Sequence, residues 1–376
     1  MLNHTPRHLN RPFPISAIRD GVVVSPEMEM TIGWELELPS EGDIRENDYE
    51  SMMQSFTLAV RSLPPWMMIH RQDMFIPGKY HHDNLDNGSL LSREYFCHFE
   101  GREFCHHKCY LYLTSTSEDM MSRAGGSAIF RFKTNPDVPT FDNVTEFLQD
   151  ADRFIGCLTS SGLIKATPIA DNKWSLLLDT YLCMGDPRRI IAEHRMNHDM
   201  VISRNTCAKV YRIEYECGDT IEDTVSTSGV TTGRLSGLGI GLDCPHAINS
   251  YILTLPQQKE YQRLSRRIKR LQNIDFDIRS KSMRKDMEAF MEDSTSRYIV
   301  MGHTNVILWE ELDKDERESS LISAAASLGY SISQECSLSA SIWFSGIPGT
   351  ATALSMDNMR RMDLHEQISG CIWETY

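Results

Sequence analysis

Apolar and polar residues partly alternate from Met28 to Leu38, through Met30, Ile32, Trp34 and Leu36. That is the period of a strand with one buried face. Upstream, Ile15 to Ile18 leading into Gly21 to Val24 also reads as strand. The period then changes. Tyr49, Met52, Met53, Phe56, Val60 and Leu63 recur at helical spacing and predict one buried stripe, with Asn47 and Glu50 as a capping box. Pro64-Pro65 stops this helix. Trp66 to Phe75 and Cys109 to Leu113 return as strands, and the β-β-α-β succession predicts a mixed or antiparallel sheet with helices on one face.

Ser115 to Thr140 is rich in Ser, Gly, Pro and charge, and reads as a long loop. Val144, Phe147, Leu148, Ala151, Phe154, Ile155 and Leu158 then form the clearest helical face, which Gly162 is placed to end in a left-handed cap. A short strand, Leu163 to Thr167, and a helix, Trp174 to Cys183, follow. The Thr-, Ser- and Gly-rich stretch from Cys217 to Asp243 predicts a mobile connection, with a domain boundary near residue 200. Beyond it come a strand from His246 to Leu255 and a long helix opened by Pro256. A second helix, Lys281 to Ser296, folds back on the first. Strand Tyr298 to Trp309, helix Asp313 to Leu328, and strands Tyr330 to Gln334 and Ala340 to Phe344 complete the pattern. The expected fold class is α+β, with two sheet-plus-helix subdomains, residues 1–199 and 200–376. Regular βαβ alternation of a nucleotide-binding parallel sheet is missing.

Composition narrows the classes. A length of 376 residues suits two domains, and 41% hydrophobic with 24% charged residues is ordinary for a globular chain. The net charge of −14 repels nucleic-acid phosphates, so direct nucleic-acid binding is not expected. Ten irregularly spaced cysteines read as reduced thiols. Met1 to Pro14 holds no apolar run like that of a secretory signal, and no window approaches a membrane span, so the expectation is a soluble, cytoplasmic chain.

Candidate chemistry is thin. A P-loop needs G-x-x-x-x-G-K-[ST]; the only Gly-Lys pair, Gly78-Lys79, is followed by Tyr80 and has Asp73 where the first glycine belongs. Gly237 to Gly241 lacks the preceding strand, the spacing and the lysine, and reads as a turn. Cys97, His98, Cys105, His106, His107 and Cys109 carry zinc-type ligands without a C-x2-C knuckle. Packing is the simpler reading of these residues; a metal-binding regulatory protein built on them is the rival. His70 and Asp73, with His81-His82-Asp83 beyond, would suit a hydrolase only if they converged on a nucleophile, and no G-x-S-x-G elbow is present. Polar residues at a strand end are the plainer account. Lys259, Arg263, Arg266, Arg267, Lys269 and Arg270 gather on one helix, a basic face suited to anionic headgroups or an acidic partner. The competing account is a solvated face compensated by the acidic run Glu310 to Glu318.

Several segments together resemble a family. Trp34-Glu35-Leu36-Glu37-Leu38-Pro39, Asp48-Tyr49-Glu50, Ala59 to Pro64, His70-Arg71-Gln72-Asp73, His107 to Thr114 and Ile342 to Gly349 stand in the order found in the amino-terminal part of the TraG family of conjugation ATPases. These belong to Bacteroides-type conjugative transposons and are similar to the large type IV secretion ATPases. The resemblance implies an amino-terminal region that precedes a RecA-like motor carrying the P-loop. On that reading the chain ends at Tyr376 before the motor, is not an enzyme, and holds no cofactor; ATP belongs to the motor. The implied partners are inner-membrane channel subunits, its own ATPase domain and an anionic membrane surface. The implied place is the cytoplasmic side of the inner membrane, peripherally attached.

Overall fold

The computed structural model describes residues 7–8, 14–80, 90–123, 141–186, 193–197, 199–214, 238–239, 241–242, 244–272, 278–292, 297–312, 316–328 and 331–375. The chain begins with strands β1 (Arg7–His8), β2 (Ala17–Arg19), β3 (Val22–Val24) and β4 (Met30–Glu37). Helix α1 (Glu46–Arg61) leads to β5 (Met67–Lys79), α2 (Leu90–Phe99), β6 (Glu103–Ser115), α3 (Glu118–Arg123) and α4 (Phe141–Leu158). Next come β7 (Lys165–Pro168), α5 (Asp171–Leu182), β8 (His194–Met196), β9 (Met200–Ser203) and β10 (Thr206–Glu214). Strand β11 (His246–Thr254) precedes the helical pair α6 (Gln257–Gln272) and α7 (Ile278–Glu292). The last part holds β12 (Ile299–Glu311), α8 (Glu316–Ser327), β13 (Ser331–Gln334), α9 (Ser339–Ser345), β14 (Arg360–Asp363) and α10 (Leu364–Ser369).

All these strands form one antiparallel sheet in the order β1-β8-β9-β10-β12-β11-β5-β6-β4-β3-β2, with β13 beside β10, β14 beside β12 and β7 beside β4. The fold is thus α+β, as the patterns predict. The division at residue 200 does not describe it. Residue 200 opens β9 inside the β8-β9-β10 meander, and β5 of the first half pairs with β11 of the second from Met68↔Leu253 to Phe75↔His246.

Helices cover both faces of the sheet, not one. Alternation along β5 sends Ile69 and Phe75 to a core shared with Met52, Phe56 and Val60 of α1, Phe147 and Phe154 of α4, and Trp373. Met68 and Met74 join a second core with Trp174 of α5, Leu264 and Ile268 of α6, Phe290 of α7 and Trp343 of α9. The central strands are therefore buried along nearly their whole length. This explains why β12 shows no clean period-2 pattern.

Local details differ from expectation in three places. The cap of helix α1 lies two residues before the predicted one: it is Arg45, whose N–H donates to Asp48 at 2.8 Å. Ala340 to Phe344 lies within helix α9, not a strand; five residues with a consecutive apolar run carry no period that separates the two. Within the predicted loop from Ser115, α3 forms, while 124–140 lie outside the described residues. Most of the stretch from Cys217 to Asp243 also lies outside them, as does His81-His82-Asp83. Gly162 does adopt the left-handed conformation, with φ 73°.

Candidate functional site

The middle of β5 is a run of four polar residues, His70-Arg71-Gln72-Asp73, between β6 and β11 and buried on both faces of the sheet. They are not strand-end surface residues. The signal was present in the sequence: apolar residues flank the run on both sides, Met67 to Ile69 and Met74 to Ile76, so the polar segment sits mid-strand.

On one face Arg71 Nε donates to Asp73 Oδ2 at 3.1 Å, and the guanidinium also reaches the carbonyl oxygen of Ile372. Its plane lies 5.2 Å from the ring of Trp373. His107 Nε2 donates to the other Asp73 oxygen at 2.9 Å, which leaves Nδ1 as the uncommitted ring nitrogen. Burial pushes the Asp73 carboxyl up, but Arg71 and then His107 outweigh it and hold the group below the usual carboxylate range. Burial pushes the neighbouring Cys109 thiol well up, so it is a packed neutral group and not an activated nucleophile. The ring of Phe75 is stacked between His107 and His246, at 4.8 and 4.2 Å.

The other face carries a neutral network. His70 Nε2 and Gln72 Nε2 both donate to Asn249 Oδ1, at 3.0 and 2.8 Å, and Asn249 Nδ2 passes the chain on to Asn305 at 3.0 Å. Gln72 also donates to the carbonyl of Gly346 at 2.7 Å, which ties the end of α9 to the sheet. His70 stacks on Tyr251 at 4.4 Å, and burial lowers its pKa to about 4. His70 and Asp73 thus point to opposite faces and share no site. The convergence required of a catalytic pair fails here.

His107 lines a cavity of about 1110 Å³ at the end of β5, β6 and β12, with Phe75, His106, Leu242, Glu310 and Arg317 among its walls. Its charges are mixed, and Glu310 is ion-paired with Lys209 at 2.7 Å. Of the cysteine and histidine cluster, Cys97 is on α2 and exposed, while Cys109 is buried in β6. Along β6, Cys105, His106 and His107 alternate between faces. Among the described residues no three His, Cys, Asp or Glu side chains are grouped to hold a metal. In the glycine run, Gly239 packs against Phe75, where a Cβ would stand 2.3 Å from the ring.

The basic residues fall on α6. Lys259, Arg263, Arg266, Lys269 and Arg270 are exposed and Arg267 is half-buried, while Leu264, Ile268 and Leu271 bury the opposite stripe. Lys259 pairs with Glu118 at 3.0 Å, and Glu260, the one acid on the helix, is taken by Arg361 at 2.7 Å. Two acids of the run from Glu310 to Glu318, namely Glu310 and Glu318, do not face this helix. Glu310 and Glu318 gather around Lys209, and α8 packs through Leu321 and Ala325 on the face of the sheet opposite to α6. Among the described residues no helix is long and apolar enough to cross a membrane. No family model matches the chain, and no curated protein matches it either.

Proposed function

We propose that the chain is a docking and assembly module: the non-catalytic amino-terminal region of a conjugative-transfer ATPase, which places the motor at the inner-membrane secretion channel. The observation that carries this reading is the position of α6. Its cations are clustered on the solvent side of one helix, and Glu310 and Glu318 of the acidic run are engaged with Lys209 on the other face of the sheet. A segregated basic face on a chain of net charge −14 suits an acidic channel subunit or anionic headgroups at the cytoplasmic side of the inner membrane. The ordered sequence segments resembling the TraG family support the same role.

The test is charge reversal of Arg263, Arg266, Lys269 and Arg270 to Glu, followed by membrane fractionation of cells that express the channel subunits. Recruitment is expected to fall at least tenfold while thermal stability stays within the range of ordinary surface changes. Unchanged recruitment, or ATP turnover by the purified chain, would overturn the reading.

A further inference from the structure

Between α9 and β14 the chain crosses one face of the sheet in short helical turns, Ala351–Ala353 and Met356–Asn358. Its side chains Ile347, Ala351, Leu354 and Met359 are buried against that face. Side chains of the sheet fasten both ends. At the start, Gln72 donates to the carbonyl of Gly346. At the far end, His303 on β12 bonds through Nδ1 to the carbonyl oxygen of Asn358 at 2.8 Å.

A carbonyl only accepts, so Nδ1 of His303 carries the hydrogen and Nε2 is a bare lone pair. That Nε2 is buried without a hydrogen-bond partner among the described residues. The ring of Tyr251, on β11, lies 5.9 Å away. The charged groups that act on the imidazole are Arg212 of β10, itself paired with Glu335 at 2.6 Å, and Arg360 of β14. Both are cations. A second proton on the ring would therefore sit in a dry site, beside like charge, on a nitrogen that has nothing to bond.

We propose that His303 is a proton-operated latch for the segment from Gly346 to Met359. As a neutral ring it fastens Asn358 to the sheet; once protonated it is expelled to solvent and the segment lifts away. Burial, then Arg212, lowers the His303 pKa to about 3, with Asn358 opposing, so the attached state excludes the proton while the detached state takes it up near the ordinary histidine value. Detachment thus becomes about tenfold more frequent per pH unit below 6.5. The crossing is suited to local opening because it adds no rung to the sheet between Gly346 and Met359, and the β11-β12 ladder beneath is complete without it. Its release would uncover the apolar patch under Ile347 and Leu354 only in acid.

Hydrogen exchange of the whole chain at pH 7.5 and 5.0, corrected for intrinsic rates, tests this. Peptides within 346–359 are expected to open about thirtyfold more often at pH 5.0 and, at both pH values, to exchange faster than β11 and β12, which open only with the whole fold. In His303→Gln, whose amide can still donate to Asn358 but does not titrate, the response of the segment should vanish. An equal response in wild type and variant would overturn the latch. So would exchange of the segment at pH 5.0 no faster than that of β11 and β12, which would place its opening in global unfolding, a comparison made in wild type alone and independent of whether the variant folds.

Discussion

Asp73 accepts hydrogen bonds from two cationic or potentially cationic side chains: Arg71, two residues away on the same strand, and His107, its neighbour on β6. None of the three is exposed. Charges in such a site are stabilised only by one another, and removing one strands the rest. Arg71→Met is therefore expected to cost about 3–5 kcal/mol in urea unfolding. Replacing both partners, Arg71→Met with Asp73→Leu, should recover a large part of that loss. If the two single costs simply added in the double variant, the pair would not be acting as a unit.

Gly239 is needed for contact, not for phosphate. A side-chain carbon there would stand 2.3 Å from Cζ of Phe75, and Phe75 cannot retreat while stacked between His107 and His246. Gly239→Ala is expected to destabilise the chain by about 1–3 kcal/mol. Phe75→Leu makes room, so the double variant should lose clearly less than the sum of the two single losses. Strict additivity would show that the close approach is not the cause.

The strongly periodic elements were legible in the sequence. The helices around Phe56 and Phe154 and the strand around Trp34 follow from spacing, and parts of β5 and β6 from their apolar runs. What spacing could not show is which strands are neighbours. The pairing of β5 with β11 joins residues about 180 positions apart, with His70↔Tyr251 in register. For that reason one sheet read as two, and the His70 to Asp73 run looked like surface. The stripe on α6 was visible because six cations stand on it against one acid, Glu260; that Glu310 and Glu318 lie on the other face needed coordinates. Helix α9 was misread because Ile342-Trp343-Phe344 is buried all round and shows no period.

Three buried histidines make the fold sensitive to acid. Burial lowers the pKa of His70 and His246 to about 4 and of His303 to about 3. The unfolded chain binds their protons near pH 6.5, so between that value and pH 4 it holds up to three more protons than the folded one. Stability is then expected to fall with decreasing pH at up to about 4 kcal/mol per unit near pH 5. His70→Gln keeps a donor for Asn249 and should remove one proton from this slope, about 1.4 kcal/mol per unit. Urea midpoints from pH 5 to 7 give the slopes; identical slopes for wild type and variant would rule out His70 as a contributor.

Glu366 acts in the opposite part of the pH range. It stands on α10 three residues after Asp363, which is ion-paired with Arg297, and its Oε2 is buried without a hydrogen-bond partner among the described residues. Burial, then the Asp363 charge, raises its pKa to about 8, with Arg297 opposing. The folded chain keeps a proton that the unfolded chain gives up near 4.5, so this contribution is full below that value and is lost as pH rises through 8. Glu366→Gln retains the shape of the protonated acid but cannot ionise. The variant is expected to match wild type near pH 4.5 and to exceed it by about 2–4 kcal/mol at pH 8.5. Because α10 leads directly into Ile372 and Trp373, which close over Arg71, loosening at high pH should appear first as a change in tryptophan emission. A constant offset between wild type and variant across the whole range would mean that Glu366 is already ionised in the fold.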